Sequence, residues 1–199
     1  WFADAKLGIF IHWGIYAVAD VSGSWSVHNR QISWKDYMNQ SKSFTAAKYD
    51  PADWASLIAA SGARYSVITT KHHDGVALWD TKENHYSTVK NTPAKRDLLT
   101  SFYQELRKRN VKAGAYFSLI DWSHPDYPGF LKDSSRYTIK NDPARWERFK
   151  QFYQNQLNEV TTQFKPDLYW FDGDWEHSAA EWKAAEIRNS ILKTNPSCI

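Results

Sequence analysis

Apolar residues along this chain fall into short continuous runs alternating with longer stretches of helical spacing. Lys6 to Gly14 carries the first run and reads as a strand buried on both faces. Ile15 to Asp50 has no clean period and reads as an extended loop with short helical pieces, one from Trp34 to Gln40. Asp50 then offers a cap and Pro51 a first turn, with Trp54, Leu57 and Ile58 at helical spacing up to Gly62. Tyr65 to Lys71 is a second strand, and a loop follows to about Asp97. Leu98 to Arg109 carries an apolar stripe of Leu99, Phe102, Tyr103 and Leu106. Val111 to Leu119 is a third strand, followed by a loop from Pro125 to Asp142. Pro143 to Phe164 is a long helix, Leu168 to Phe171 a fourth strand, and Ala179 to Lys193 a helix stopped at Asn195-Pro196. Ser197-Cys198-Ile199 reads as the opening of a fifth strand.

Strand, loop and helix thus repeat four times, which predicts an α/β fold with a parallel sheet. The long polar loops follow the strands, and the returns from helix to strand are short. That is the habit of a (β/α)8 TIM-barrel-like domain, whose sites lie at the C-terminal strand ends. A doubly wound sheet competes, but it carries a Gly-rich turn after its first strand, and Gly14-Ile15-Tyr16 is no such turn. A full barrel takes about 250 residues. Residues 1–199 are therefore expected to be the N-terminal half of a catalytic domain, with the remaining barrel outside this sequence.

Charge and composition narrow the classes. The net charge of +3 comes from interspersed residues of both signs, which argues against a nucleic-acid partner. A single cysteine, Cys198, excludes an internal disulfide. No apolar run approaches the roughly 18 residues of a membrane span, and no signal segment is visible. The 11 tryptophans exceed what a core of this size needs, so part of them is expected on a binding surface.

The chemistry-bearing residues gather at the predicted strand ends. Asp172 closes the fourth strand among Trp170, Phe171 and Trp175. A carboxylate at a strand mouth walled by large rings suits sugar cleavage, because it can attack an anomeric carbon while ring faces stack on the pyranose. The plainer reading is a helix cap, a role that suits Asp174 better because it lies nearer the next helix. His12 and Trp13 end the first strand, and His72-His73-Asp74 the second. Neighbours on a strand point to opposite faces, so both imidazoles reach one site only where the strand has ended. His12, His72, His73 and Asp172 would also suit zinc, although the first strand lacks the His-x-His pair that places two imidazoles on one face. Trp13, Trp25, Trp79, Trp122, Trp170 and Trp175 fall in or near these loops, and His124 and His177 read as ordinary loop residues.

Four segments carry a resemblance: Trp1-Phe2 with Asp4-Ala5-Lys6 and Gly8 to Gly14, Tyr65 through Lys71 to Gly75, Tyr116-Phe117-Ser118 with Asp121-Trp122, and Asp167 to Gly173. Over nearly its whole length the chain resembles the α-L-fucosidases of glycoside hydrolase family 29. The resemblance implies a (β/α)8-like catalytic domain followed by a β-sandwich, and a retaining double displacement with no metal or cofactor. It implies Asp172 as nucleophile and His12, His72 and His73 as ligands of fucose hydroxyls. Trp170, Trp25, Tyr116 and Trp13 are expected to line the pocket. The implied partner is a fucosylated oligosaccharide or glycoconjugate met in the periplasm or outside the cell, and a homo-oligomer is compatible with it. The family's acid/base Glu is expected past Ile199; Glu176, the nearby alternative, reads as a first-turn acid. Two positions depart from the pattern. Ser24 stands where many members carry Glu, and Phe117 where some carry a second Tyr. A sugar-binding scaffold without turnover and a metal-dependent barrel hydrolase are the alternative functions.

Overall fold

The computed structural model describes residues 1–131 and 134–199. Its helices are α1 (Phe2–Ala5), α2 (Trp25–His28), α3 (Trp34–Asn39), α4 (Pro51–Ala60), α5 (Thr88–Asn91), α6 (Leu99–Lys108), α7 (Pro143–Phe164) and α8 (Ala184–Thr194). Its strands are β1 (Gly8–Ile11), β2 (Tyr65–Lys71), β3 (Lys112–Ser118), β4 (Gly129–Phe130), β5 (Ser134–Ser135) and β6 (Leu168–Asp172). Three 3-10 turns lie at Ile15–Ala17, Gln40–Ser43 and Asp174–Glu176. The loop expected from Pro125 to Asp142 carries the small antiparallel pair β4–β5, and its residues 132 and 133 lie outside the described residues.

The main sheet is parallel and runs β1-β2-β3-β6, in chain order without a reversal. A doubly wound sheet needs a reversal to make its switch point. Alternation gives the sheet two unlike faces. Ile68, Ala113, Ala115 and Phe117 join the main core with Ala55 and Ile58 of α4, the Leu99, Phe102, Tyr103 and Leu106 stripe of α6, and the apolar side of α7. Among the described residues, the opposite face holds a small cluster of Val67, Tyr116 and Leu168 with Tyr65 packed against it. Phe10 (38% exposed) and Trp170 (54%) lie open to solvent on that face. The expectation that the first strand is buried on both faces is therefore corrected, because β1 packs helices on one side only.

Local chemistry sets the boundaries. Asp50 accepts from the backbone N–H groups of Ala52 and Asp53 to start α4, and Asp142 accepts from that of Arg145 to start α7. Leu57 is 71% exposed, against the expectation that it shares the buried stripe of α4. The last helix begins at Ala184 rather than Ala179. Ser178 and Glu181 close a capping box on each other, but left-handed Lys183 (φ 55°) breaks the chain before α8. The Ile199 backbone donates to the Asp167 carbonyl and accepts from the Tyr169 N–H, so the chain already runs beside β6 there.

Candidate active site

Strand β6 ends in Asp172, and the register places it directly opposite Ser118 of β3. Both carboxylate oxygens are held. Tyr116, buried on the same sheet face, donates its hydroxyl to Oδ2, while the Gly173 N–H donates to Oδ1 at 2.8 Å. Burial, then the Asp172 bond, pushes the Tyr116 phenol far up, so it stays protonated and donates. Neither Asp172 nor Asp174 caps a helix through its side chain. The 3-10 turn after Gly173 has no side-chain cap, and neither does α8.

His72 and His73 reach one place because β2 has ended. A register shift between Thr69 and Lys71 bends the strand, and the Gly75 N–H closes a turn onto the His72 carbonyl at 3.0 Å. Gly75 sits at φ +79°, and a Cβ there would meet Asp121 Oδ1 at 2.3 Å, so both conformation and space require glycine. Behind the turn lies a buried polar network that ties residues 50 positions apart. Asp121 Oδ2 accepts from Lys71 Nζ at 3.3 Å, and His85 Nε2 lies 3.2 Å from the same oxygen. The same carboxylate accepts from the hydroxyl of Ser123 at 2.7 Å and the N–H of His124 at 3.0 Å. Burial works against the Asp121 charge, but His85 and Lys71 outweigh it and hold the carboxyl far below the usual range.

The imidazoles themselves are neutral. His73 is held at about 3 by burial and then by the Lys71 charge, and His72 well below its ordinary value by burial and its histidine neighbours. His12, at the mouth, is lowered by desolvation against the pull of Asp172. The tautomer of His73 follows from its partners. Ser118 donates its single hydroxyl proton to the Ile120 carbonyl at 2.7 Å, so at 2.6 Å from His73 Nδ1 it can only accept. Nδ1 therefore carries the proton, and Nε2 presents a lone pair. That Nε2 is buried without a hydrogen-bond partner among the described residues, 3.9 Å from Asp172 Oδ2. His72 Nδ1 lies 2.5 Å from the buried Ser24 hydroxyl.

Rings complete the wall. His12 stacks on Phe10 at 4.7 Å and meets Tyr116 edge-on at 5.0 Å, and His72 stacks on Tyr116 at 5.5 Å. Trp170 stands against Phe10 at 5.5 Å, and Trp25 against His73 at 5.7 Å. Of the sequence-predicted residues, His12, His72, His73, Tyr116, Trp25, Trp170 and Asp172 come together. Trp13 does not. It shares the helix-side face with Ile9 and Ile11 and packs on Phe44, Tyr49 and Trp54 at 4.9–5.4 Å, so its expected place in the pocket is corrected. Trp79 and Trp122 are core, while Trp175 is 57% exposed and stacks on Trp25 at 6.1 Å. His124 is no plain loop residue, since it stands within the Asp121 network. Glu176 accepts from the Tyr127 hydroxyl, and burial raises its carboxyl. Ser118 and Lys71 were not expected at the site; both belong to the segments of resemblance, but no pattern names their partners.

The alpha-L-fucosidase family profile matches residues 1–198. The chain belongs to the alpha-L-fucosidase family. It is 32% identical to the human tissue alpha-L-fucosidase over 98% of this chain and 44% of that protein, and so spans less than half the length of that relative. Alpha-L-fucosidase isoenzyme 1 from Paenibacillus thiaminolyticus superposes with a TM-score of 0.87 at 34% identity, over 100% of this chain and 48% of that one. A family 29 alpha-L-fucosidase from Bacteroides thetaiotaomicron, trapped as a covalent intermediate with 2-fluoro-fucosyl fluoride, gives 0.86 at 32% identity over 99% and 46%. No helix among the described residues is long and apolar enough to cross a membrane.

Proposed function

We propose that the protein is a retaining exo-α-L-fucosidase, acting on terminal α-L-fucosyl groups of oligosaccharides or glycoconjugates outside the cytoplasm. One observation carries the reading: a carboxylate at a strand end has both oxygens fixed by donors, beside neutral imidazoles and open aromatic faces. Asp172 attacks the anomeric carbon as the aglycone leaves, giving a glycosyl ester, and water then releases the sugar with net retention. His12, His72 and His73 exchange hydrogen bonds with ring hydroxyls, and neutral imidazole suits this because it can both give and accept. Phe10, Trp170 and Trp25 cover the apolar sugar faces. The leaving oxygen needs a proton donor, which this reading assigns to a carboxylic acid past Ile199.

The same proposal includes the (β/α)8 barrel. Its support is the open sheet face around Phe10 and Trp170, the chain-ordered parallel strands, and the pairing of Ile199 beside β6. A second half of four strands would cover that face and carry the acid/base, with a β-sandwich beyond.

Incubation of the full-length protein with 2-fluoro-fucosyl fluoride, followed by peptide mass spectrometry, tests the nucleophile, the sugar and the mechanism together. A label on Asp172 is expected, and Asp172→Ala should abolish turnover while keeping the near-ultraviolet circular dichroism of the parent. Label on another residue, or cleavage without label, would overturn the assignment. Fucose binding without turnover would identify a sugar-binding scaffold instead.

A further inference from the structure

We infer that His72, His73 and Asp172 form a binding site for a borderline divalent cation such as Zn2+, and that occupancy blocks the nucleophile. One ligating atom from each lies within 4.8 Å of the others, and the three span buried to half-buried positions. Zinc bonds of about 2.0–2.1 Å in a tetrahedral array put ligand atoms about 3.3 Å apart. His73 Nε2 and Asp172 Oδ2 stand at 3.9 Å, so that edge closes with a shift of about half an ångström, within side-chain reach.

The surroundings are those that a metal ligand needs. His73 Nε2 is deeply buried, carries a lone pair and has no hydrogen-bond partner among the described residues. Its other nitrogen donates to Ser118, which passes the bond on to the Ile120 carbonyl. His72 Nδ1 meets Ser24, and the other Asp172 oxygen, Oδ1, accepts from the Gly173 N–H at 2.8 Å. Hydrogen bonds from the far side of each ligand fix its orientation and raise metal affinity. Two imidazoles and one carboxylate leave one position open to solvent, and that donor set favours Zn2+ or Cu2+ over Mg2+ or Ca2+.

The consequence is inhibition rather than activation, because the bound ion would take the carboxylate oxygen that attacks the sugar. Binding itself does not depend on the fucosidase reading, since it is measured without substrate. Titration calorimetry of the full-length protein with ZnCl2 should give one site per chain, weakened about tenfold or more in Asp172→Asn and in His73→Gln. Both variants keep the side-chain volume, and thermal melting checks that they fold. Co2+ should bind with the visible absorption of a low-coordinate ion, and MgCl2 should give no heat. Zn2+ should lower kcat/KM for a fucoside, with EDTA restoring it. No Zn2+ binding in the millimolar range, or binding unchanged in both variants, would overturn the site. Turnover raised by Zn2+ would overturn the inhibitory consequence.

Discussion

Ser118→Ala tests whether the direction of one buried hydroxyl governs the site. In the parent, Ser118 donates to the Ile120 carbonyl and accepts from His73 Nδ1–H. Alanine leaves that carbonyl and that N–H unpaired in a buried setting, each at a cost of about 1–3 kcal/mol. The imidazole can recover part of the loss by moving its proton to Nε2, where Asp172 Oδ2 waits 3.9 Å away. In that tautomer the ring turns an N–H toward the proposed nucleophile and no longer accepts from a sugar hydroxyl. Losing one such bond and tying up Asp172 Oδ2, the proposed attacking oxygen, together cost about 1.5–3 kcal/mol, so kcat/KM should fall about 10- to 150-fold. The assay compares an aryl α-L-fucoside with its 2-, 3- and 4-deoxy analogues in both proteins. One analogue should be poor with the parent because it lacks the donor for Nε2, and that penalty should shrink in the variant, as a double-mutant cycle requires. Nitrogen-15 shifts of His73 should report the tautomer change. Equal kcat/KM with an unchanged deoxy profile would refute the argument.

Tyr116→Phe keeps the ring contacts to Phe10, His12 and His72 but removes the hydroxyl bound to Asp172. A hydrogen bond to a charged group is worth about 1.5–3 kcal/mol, so inactivation by 2-fluoro-fucosyl fluoride should slow by at least about tenfold; a parent-like rate would remove Tyr116 from the reaction. Lys71→Met leaves Asp121 as a buried charge without its cation and should destabilise the protein by about 3–5 kcal/mol in denaturant unfolding, whereas a loss below about 1 kcal/mol would mean that His85 suffices. His73 and His124, held at about 3 and about 4, take up protons on unfolding as pH falls below 6.5, as does His72, so each withdraws stability by up to about 1.4 kcal/mol per pH unit. Asp74, raised by burial from 3.8 to about 6, returns one such increment over the window between those values; the melting temperature should still fall from pH 6.5 to 4.5, and a flat or rising trend would contradict the sign.

What the sequence revealed depended on whether the deciding interaction was local. The start of helix α7 was legible because Pro143 suits a first turn, and apolar residues recur at helical spacing to about Phe164. The stripe of α6 was legible for the same reason. In α4 the alanines weaken the period, and Leu57 faces solvent although its spacing matches the buried stripe. Trp13 was readable in principle. Alternation from Ile9 and Ile11 puts it on the helix side, opposite His12, and proximity to His12 in sequence obscured that parity. The convergence of His72 and His73 on Asp172 could be expected from strand ends alone. The network behind them could not, since Lys71 and Asp121, or Ser118 and His73, meet only through the register of β2 on β3.

That network bears on why the histidines beside Asp172 are neutral. An imidazolium at 3.9 Å from the carboxylate would bind it by about 4 kcal/mol at an effective dielectric of 20. In the proposed double displacement, attack would turn the carboxylate into an uncharged ester, so that attraction would be lost on the way to the intermediate and would count against the rate. Burial removes the proton from His73, and the Lys71 cation behind it acts in the same direction. The sign of Lys71 therefore matters as well as its pairing. It balances the buried Asp121 and also keeps the ring next to Asp172 a hydrogen-bonding group without charge. A bare lone pair on Nε2 and an unneutralised carboxylate follow from the same arrangement, and those two features are what a divalent cation would find.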